Sequence, residues 1–252
     1  MGSATRDWDA ETYARVGTPQ EVWAGGIIDR LALEGSETVL DAGCGAGRVT
    51  SLLIDRVPDG RVIAVDGSES MVEQVRSVLR PQDRAFVADL AELELDEAVD
   101  ALFSCAVFHW IPDHDALFAR LYAAARPGAR FEAQCGGEGN IAGFHSIAAE
   151  VGRREPFAVH LAEWEGPWNF AGPQITAERL ERAGFTNIET NLQPWPVQSD
   201  EPREFVRTVC LGPHLDILPE ELREPYLDQV MDAWPEPRIL DYVRLNISAR
   251  RV

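Results

Sequence analysis

The 252-residue chain contains no lysine. All 23 of its basic residues are arginine, which excludes Schiff-base chemistry and a lysine general base. Positive charge is scarce overall, because 42 acidic residues leave a formal net charge of −19. A surface of that sign repels phosphate backbones, so no nucleic-acid partner is expected. Cysteine is sparse too. Cys44, Cys105, Cys135 and Cys210 are scattered without a CxxC pair, which is the usage of a reduced intracellular protein. The five histidines show no HExxH or similar spacing, so no metal site is expected. No apolar run approaches a membrane span, and Met1 to Asp9 is too polar and acidic for a signal peptide. These absences suit a cytoplasmic protein, monomer or homodimer, that meets a small molecule and no membrane.

What the chain does have is an apolar fraction of 45%, enough for a sizeable core, and an alternating rhythm. Thr38–Asp41 is a predicted strand and Arg48–Arg56 a helix. Arg61–Asp66 is the second strand, after the turn Pro58-Asp59-Gly60. A helix opens near Ser68, with Ser68 or Ser70 as N-cap. Ala85–Val87 and Ala101–Cys105 are the third and fourth strands. Asp113–Ala125 is an amphipathic helix ended by Pro127-Gly128, and Ala129–Gln134 is the fifth strand. Such alternation implies an α/β fold with a parallel sheet and helices on both faces. The rhythm changes after Gly136. Ala142–Arg154, Thr176–Ala183, Glu201–Leu211 and Pro219–Trp234 read as helices. Glu163–Pro173 is a loop carrying Trp164, Trp168 and Phe170. Ile188–Pro194 and Arg244–Arg250 would form a late edge hairpin.

The most informative stretch is Val39-Leu40-Asp41-Ala42-Gly43-Cys44-Gly45-Ala46-Gly47. Its glycines bare the backbone to a ligand, and the helix that follows offers unpaired N–H groups. The spacing is GxGxG. A dinucleotide fingerprint would need its third glycine at Arg48, so the loop reads as a different nucleoside-cofactor turn. Asp66 stands where an acid meets ribose hydroxyls, or it caps the next helix. Asp89 can accept from the exocyclic amine of a base, with Leu90 beside the ring, or it is a loop carboxylate. Asp41 can meet a cationic ammonium through water, or be satisfied by loop N–H groups. His109-Trp110 follow the fourth strand, where open α/β sheets form their crevice. They line a pocket there or pack in the core.

In this order and spacing the four positions resemble class I S-adenosylmethionine-dependent methyltransferases. The resemblance rests on Asp41 to Gly47, Val65-Asp66-Gly67-Ser68, Ala88-Asp89-Leu90 and the segment through Trp110. It implies a Rossmann-like, mostly parallel seven-stranded sheet, order 3-2-1-4-5-7-6 with strand 7 antiparallel. It also implies S-adenosylmethionine as cofactor. Gly43 and Gly45 would contact its methionine and ribose parts, and Asp66 with Gly67 would hold the ribose. Asp89 and Leu90 would meet adenine flanked by Met71, and Cys105 would flank the cofactor. Trp8 to Tyr13, Phe108 to His114 and Arg244 to Arg250 look like the trans-aconitate and juvenile hormone acid methyltransferase group. The expected division of one domain over 1–252 is then a lid over 1–30, a cofactor core over 31–135, a substrate-side region over 136–237 and a final strand within 238–252.

In the acid-methylating relatives, residues matching Gln20 and Trp110 bind the substrate carboxylate. The implied reaction is methyl ester formation on a small acid. A carboxylate is already ionised, so alignment and removal of water are what it needs. Transfer to another atom of a natural product remains open, with His109 as the nearest base, and so does cofactor binding without transfer. An apolar lid of Trp8, Tyr13, Trp23, Trp164, Trp168 and Phe170 would favour a hydrophobic acid, unless these rings are core. A tricarboxylate would call on arginines such as Arg153, Arg154 or Arg207.

Overall fold

The computed structural model describes residues 18–252, with side chains from Trp23 onward. Trp8, Tyr13 and the side chain of Gln20 lie outside what is described. Strands β1 (Thr38–Ala42), β2 (Arg61–Asp66), β3 (Arg84–Val87), β4 (Val99–Cys105), β5 (Ala125–Gly136), β6 (Phe185–Pro194) and β7 (Val243–Arg251) form one sheet. Its order is β3-β2-β1-β4-β5-β7-β6, as expected. The first five strands are parallel, and β7 runs antiparallel to both β5 and β6. β1 is flanked by β2 on one side and β4 on the other. The chain therefore reverses its winding there, which opens a crevice at the C-terminal strand ends.

Side-chain alternation along the strands feeds two layers. Val39, Val62, Ala101 and Phe103 pack with Ile27, Ile28 and Leu31 of α1 (Thr18–Leu31) and Leu53 of α2 (Arg48–Arg56). α3 (Glu69–Val75) follows β2. Leu40, Ile63 and Leu102 face the other way, onto Leu117, Phe118 and Leu121 of α4 (His114–Ala124). Each large apolar side chain buried this way contributes roughly 1.5–3 kcal/mol. The predicted caps are in place. Ser68 accepts from the Met71 N–H at 3.3 Å, and Asp113 from the Ala116 N–H at 2.9 Å.

A third apolar cluster gathers the segments after β5. It joins Phe144 and Val151 of α5 (Ala142–Gly152) to Tyr226, Leu227 and Trp234, and it includes Trp23.

Two expectations need correction. β5 starts at Ala125 and not at Ala129, because Ala125 already pairs with Val99 and a register shift absorbs Pro127-Gly128. Glu201–Leu211 is not one helix. A short turn, Pro202–Phe205, widens into a π segment, Val206–Cys210, before a new helix starts at Gly212–Ile217. Pro213 explains the break, since it has no N–H to continue the ladder and suits a helix start.

Candidate active site

β1 hands over to the glycine loop at the crevice. Gly43 (φ +87°) donates to the Val65 carbonyl at 2.8 Å. A Cβ there would stand 2.1 Å from Cγ2 of Val107, so only glycine fits. Val107 is delivered by Ala106, itself left-handed at φ +63°, whose N–H donates to Gln134 O at 2.7 Å. Gly45 differs. It has φ +52°, yet nothing lies within 4 Å of where its Cβ would be. The first residue is shaped by the protein, and the second turns bare backbone toward open space.

Three carboxylates were expected here. Asp66 accepts from Gly45 N–H at 2.9 Å through Oδ2 and from Ser68 N–H at 3.0 Å through Oδ1. Each oxygen keeps a lone pair for a further donor. Burial raises its pKa, opposed by the hydrogen bonds from Ser68 and Gly45 and by the nearby Gly67 N–H. Because Ser68 caps α3, Asp66 is not the helix cap. Asp41 is 1% exposed. Burial pushes its pKa up to about 7, opposed by a 2.7 Å hydrogen bond from Thr50 Oγ1 and reinforced by the charge of Asp66. A cation beside it would restore full ionisation. Asp89 is exposed, and its Oδ1 accepts from Ala91 N–H at 2.8 Å in the loop after β3. Leu90 and Met71 are buried. Val87, the register partner of Asp66, is 48% exposed and offers an apolar surface next to that carboxylate. Cys105, at the end of β4, has its thiol pushed up to about 12 by burial, so it stays protonated and unreactive.

On the other side of the crevice, His109 is buried in the turn Phe108–Trp110. The Gly136 N–H donates to its Nδ1 at 3.2 Å. The neutral ring must therefore carry its proton on Nε2. Burial holds its pKa well below the ordinary histidine range, helped by the charge of Arg244. The ring stacks on Phe170 at 5.7 Å and lies 5.2 Å from Trp110. Trp168 continues the cluster, 6.0 Å from Trp110, 6.1 Å from Phe170 and 4.5 Å from His145. Trp110, Trp164, Trp168 and Phe170 are thus brought together, all half-buried. Trp23 is not in that stack; it is buried in the third core cluster, against Trp195 and Tyr242.

Sequence reasoning missed four members of the site. Thr50 supports Asp41. His145 and His214 join the aromatic cluster, held by burial near pKa 4 and 3 respectively. Arg244 is 1% exposed, opposite Gly136 in the β5–β7 register. Its Nε donates to Gln134 Oε1 at 3.3 Å, and its guanidinium lies 4.1 Å over Trp23. Along β7 the buried Leu245, Ile247 and Ala249 alternate with polar residues, so nothing local marked Arg244 as buried. Arg154 and Arg207 are spent elsewhere, on Glu150 and Glu224.

The chain is similar to known proteins. The family described as "Methyltransferase domain" matches residues 39–128. The trans-aconitate 2-methyltransferase of Variovorax paradoxus is 29% identical, over 97% of this chain and 98% of its own length. The trans-aconitate 2-methyltransferase of Methylobacterium radiotolerans is 30% identical over the same shares. The solved structure of the YcgJ protein from Bacillus subtilis has the same fold, with a TM-score of 0.64 over 92% of this chain and 99% of its own at 16% identity.

Proposed function

We propose, since the chain belongs to the class I S-adenosylmethionine-dependent methyltransferases of the trans-aconitate group, that it forms the methyl ester of a small carboxylic acid. The cofactor supplies an electrophilic methyl group on a sulfonium. The residues present fit it. Gly45 leaves room for a ligand against its backbone, and Asp66 keeps two lone pairs for vicinal ribose hydroxyls. Asp41, poised near pKa 7, gains a charge partner in a cation. Val87 offers apolar surface to the base, and Asp89 an acceptor for its amine.

One observation carries the choice of acceptor. The imidazole nearest the strand ends has its Nδ1 lone pair taken by Gly136, so it offers Nε2–H as a donor and no basic nitrogen. A phenol or ammonium acceptor would need a base. His145, held near pKa 4, is a weak one. An ionised carboxylate needs no base, and donors suit it. Gln20, on α1, and Trp110 would orient its oxygens by amide and indole N–H without cancelling their charge. Alignment of this kind lowers barriers by up to roughly 7–11 kcal/mol. Gln20→Ala and Trp110→Phe test the assignment. Each should cut turnover of an acid while calorimetric affinity for S-adenosylhomocysteine stays unchanged. Full turnover in both variants would overturn the carboxylate-binding roles.

A further inference from the structure

His109 and Trp110 belong to one short turn, Phe108–Trp110, and the rings packed on them come from residues 164–172, which form neither helix nor strand. A lone turn has little stability of its own, so tertiary bonds must fix its side chains. One residue of the irregular segment supplies several of these bonds. The Asn169 backbone N–H donates to His109 O at 2.8 Å. Its side-chain Nδ2 donates to Pro112 O at 3.0 Å and to Ile111 O at 3.4 Å. The carbonyls on both sides of Trp110 are thus taken by the same residue. Asn169 also stands in the chain between Trp168 and Phe170. The first of those rings packs on Trp110 at 6.0 Å, and the second on His109 at 5.7 Å. The turn is tied elsewhere by His114, whose Nε2 donates to Phe108 O at 2.9 Å, and by the Gly136 N–H on His109 Nδ1. Neither of these reaches past Trp110. Asparagine suits the place, because its amide carries two donors on a short stem, whereas an aspartate of the same size would turn only acceptors toward two carbonyls.

We propose that Asn169 is a positioning residue for the acceptor side of the crevice, clasping residues 164–172 to the Phe108–Trp110 turn and so setting the direction of the Trp110 indole N–H. The proposal rests on the reading in which Trp110 orients the acceptor carboxylate. Asn169 acts through Trp110 and takes no part in the transfer.

Asn169→Ala removes the side-chain bonds and leaves the backbone bond to His109, so the melting temperature and the affinity for S-adenosylhomocysteine should change little. Turnover is read with methyl-labelled cofactor on whichever of butyrate, benzoate and trans-butenedioate takes up most label. The variant should lower kcat about tenfold, the scale of a displaced orienting group, with a smaller change in KM. Asn169→Asp should be no faster than Asn169→Ala. In a Trp110→Phe background the positioned group is gone, so Asn169→Ala should cost less than about twofold more. Losses that multiply in full would mark a general structural role and overturn the proposal, as would parental turnover in Asn169→Asp. A second readout needs no acceptor. In protein labelled with fluorotryptophan, the Trp110 fluorine resonance is the one missing from Trp110→Phe, and Asn169→Ala should shift or broaden it. An unchanged resonance would overturn the clasp. If the resonance moves but none of the three acids is esterified, the methylation reading fails and the clasp stands. If the resonance stays and Trp110→Phe slows esterification, the reverse holds.

Discussion

The two sides of the crevice are made of different material. At the ends of β1 and β2 the site is mostly backbone: Gly43 under Val107, Gly45 facing open space, and loop N–H groups aimed at Asp66. At the ends of β4, β5 and β7 it is mostly side chain: His109, Trp110, Trp168 and Phe170 stacked on one another, with His145 behind them. A backbone site has few tolerated substitutions, because its geometry is the fold's own. A wall of side chains can change while the strands beneath it stay put. The first side fits the cofactor and the second the methyl acceptor.

Substitutions should divide along the same line. The largest effect is expected at Gly43. Gly43→Ala forces a left-handed alanine into Val107, and strain and overpacking each cost about 1–3 kcal/mol. Denaturant unfolding should show the sum. Gly45→Ala, with space around it, should keep most of the stability and lose cofactor affinity. Equal unfolding losses in the two variants would erase the distinction between a packing glycine and a ligand-facing one. Next comes Asp66→Ala, which should weaken S-adenosylhomocysteine about 10- to 100-fold by calorimetry, given about 1.5–3 kcal/mol for hydrogen bonds to a charged group. Across the crevice, Trp110→Ala should reduce kcat/KM about tenfold or more and leave that affinity alone, as expected for an orienting donor.

Smaller effects come from protons. The folded pKa of Asp41 lies above its unfolded value. Its contribution to stability is therefore complete below the ordinary carboxylate range and is lost as pH rises through about 7. Relative to Asp41→Asn, the cofactor-free parent should lose melting temperature over that interval. Affinity for the cationic cofactor, relative to neutral S-adenosylhomocysteine, should increase as Asp41 ionises. Parallel curves for the parent and Asp41→Asn would contradict this. His109, whose pKa is already depressed by burial, should add no limb to the kcat profile between about pH 6 and 8.

The same division decides what was legible in the sequence. The glycine spacing, Asp66 at a strand end and the Ser68 cap follow from local backbone chemistry and short-range pattern, whereas the strand order came from the resemblance to a known family. They match the structure residue by residue. The acceptor side depends on distant pairings. Arg244 becomes a site residue only because β7 lies antiparallel to β5 and sets it opposite Gly136. His145 meets Trp168, and His109 meets Phe170, across loops that no periodicity reports. The protonation state of His109 turns on one N–H from Gly136. The π segment at Val206–Cys210 was equally hidden, since a single wide turn leaves the side-chain pattern helical.

The most direct test is the chemistry of the product. Methyl-labelled S-adenosylmethionine is incubated with the parent protein and a panel of acids, phenols and amines, and the labelled product is treated with mild alkali. The expected result is label confined to the acids and released by alkali as methanol, with loss of that signal in Trp110→Ala protein that still binds S-adenosylhomocysteine. Alkali-stable label on a phenol or amine, with none on the acids, would contradict the carboxylate as the methyl acceptor.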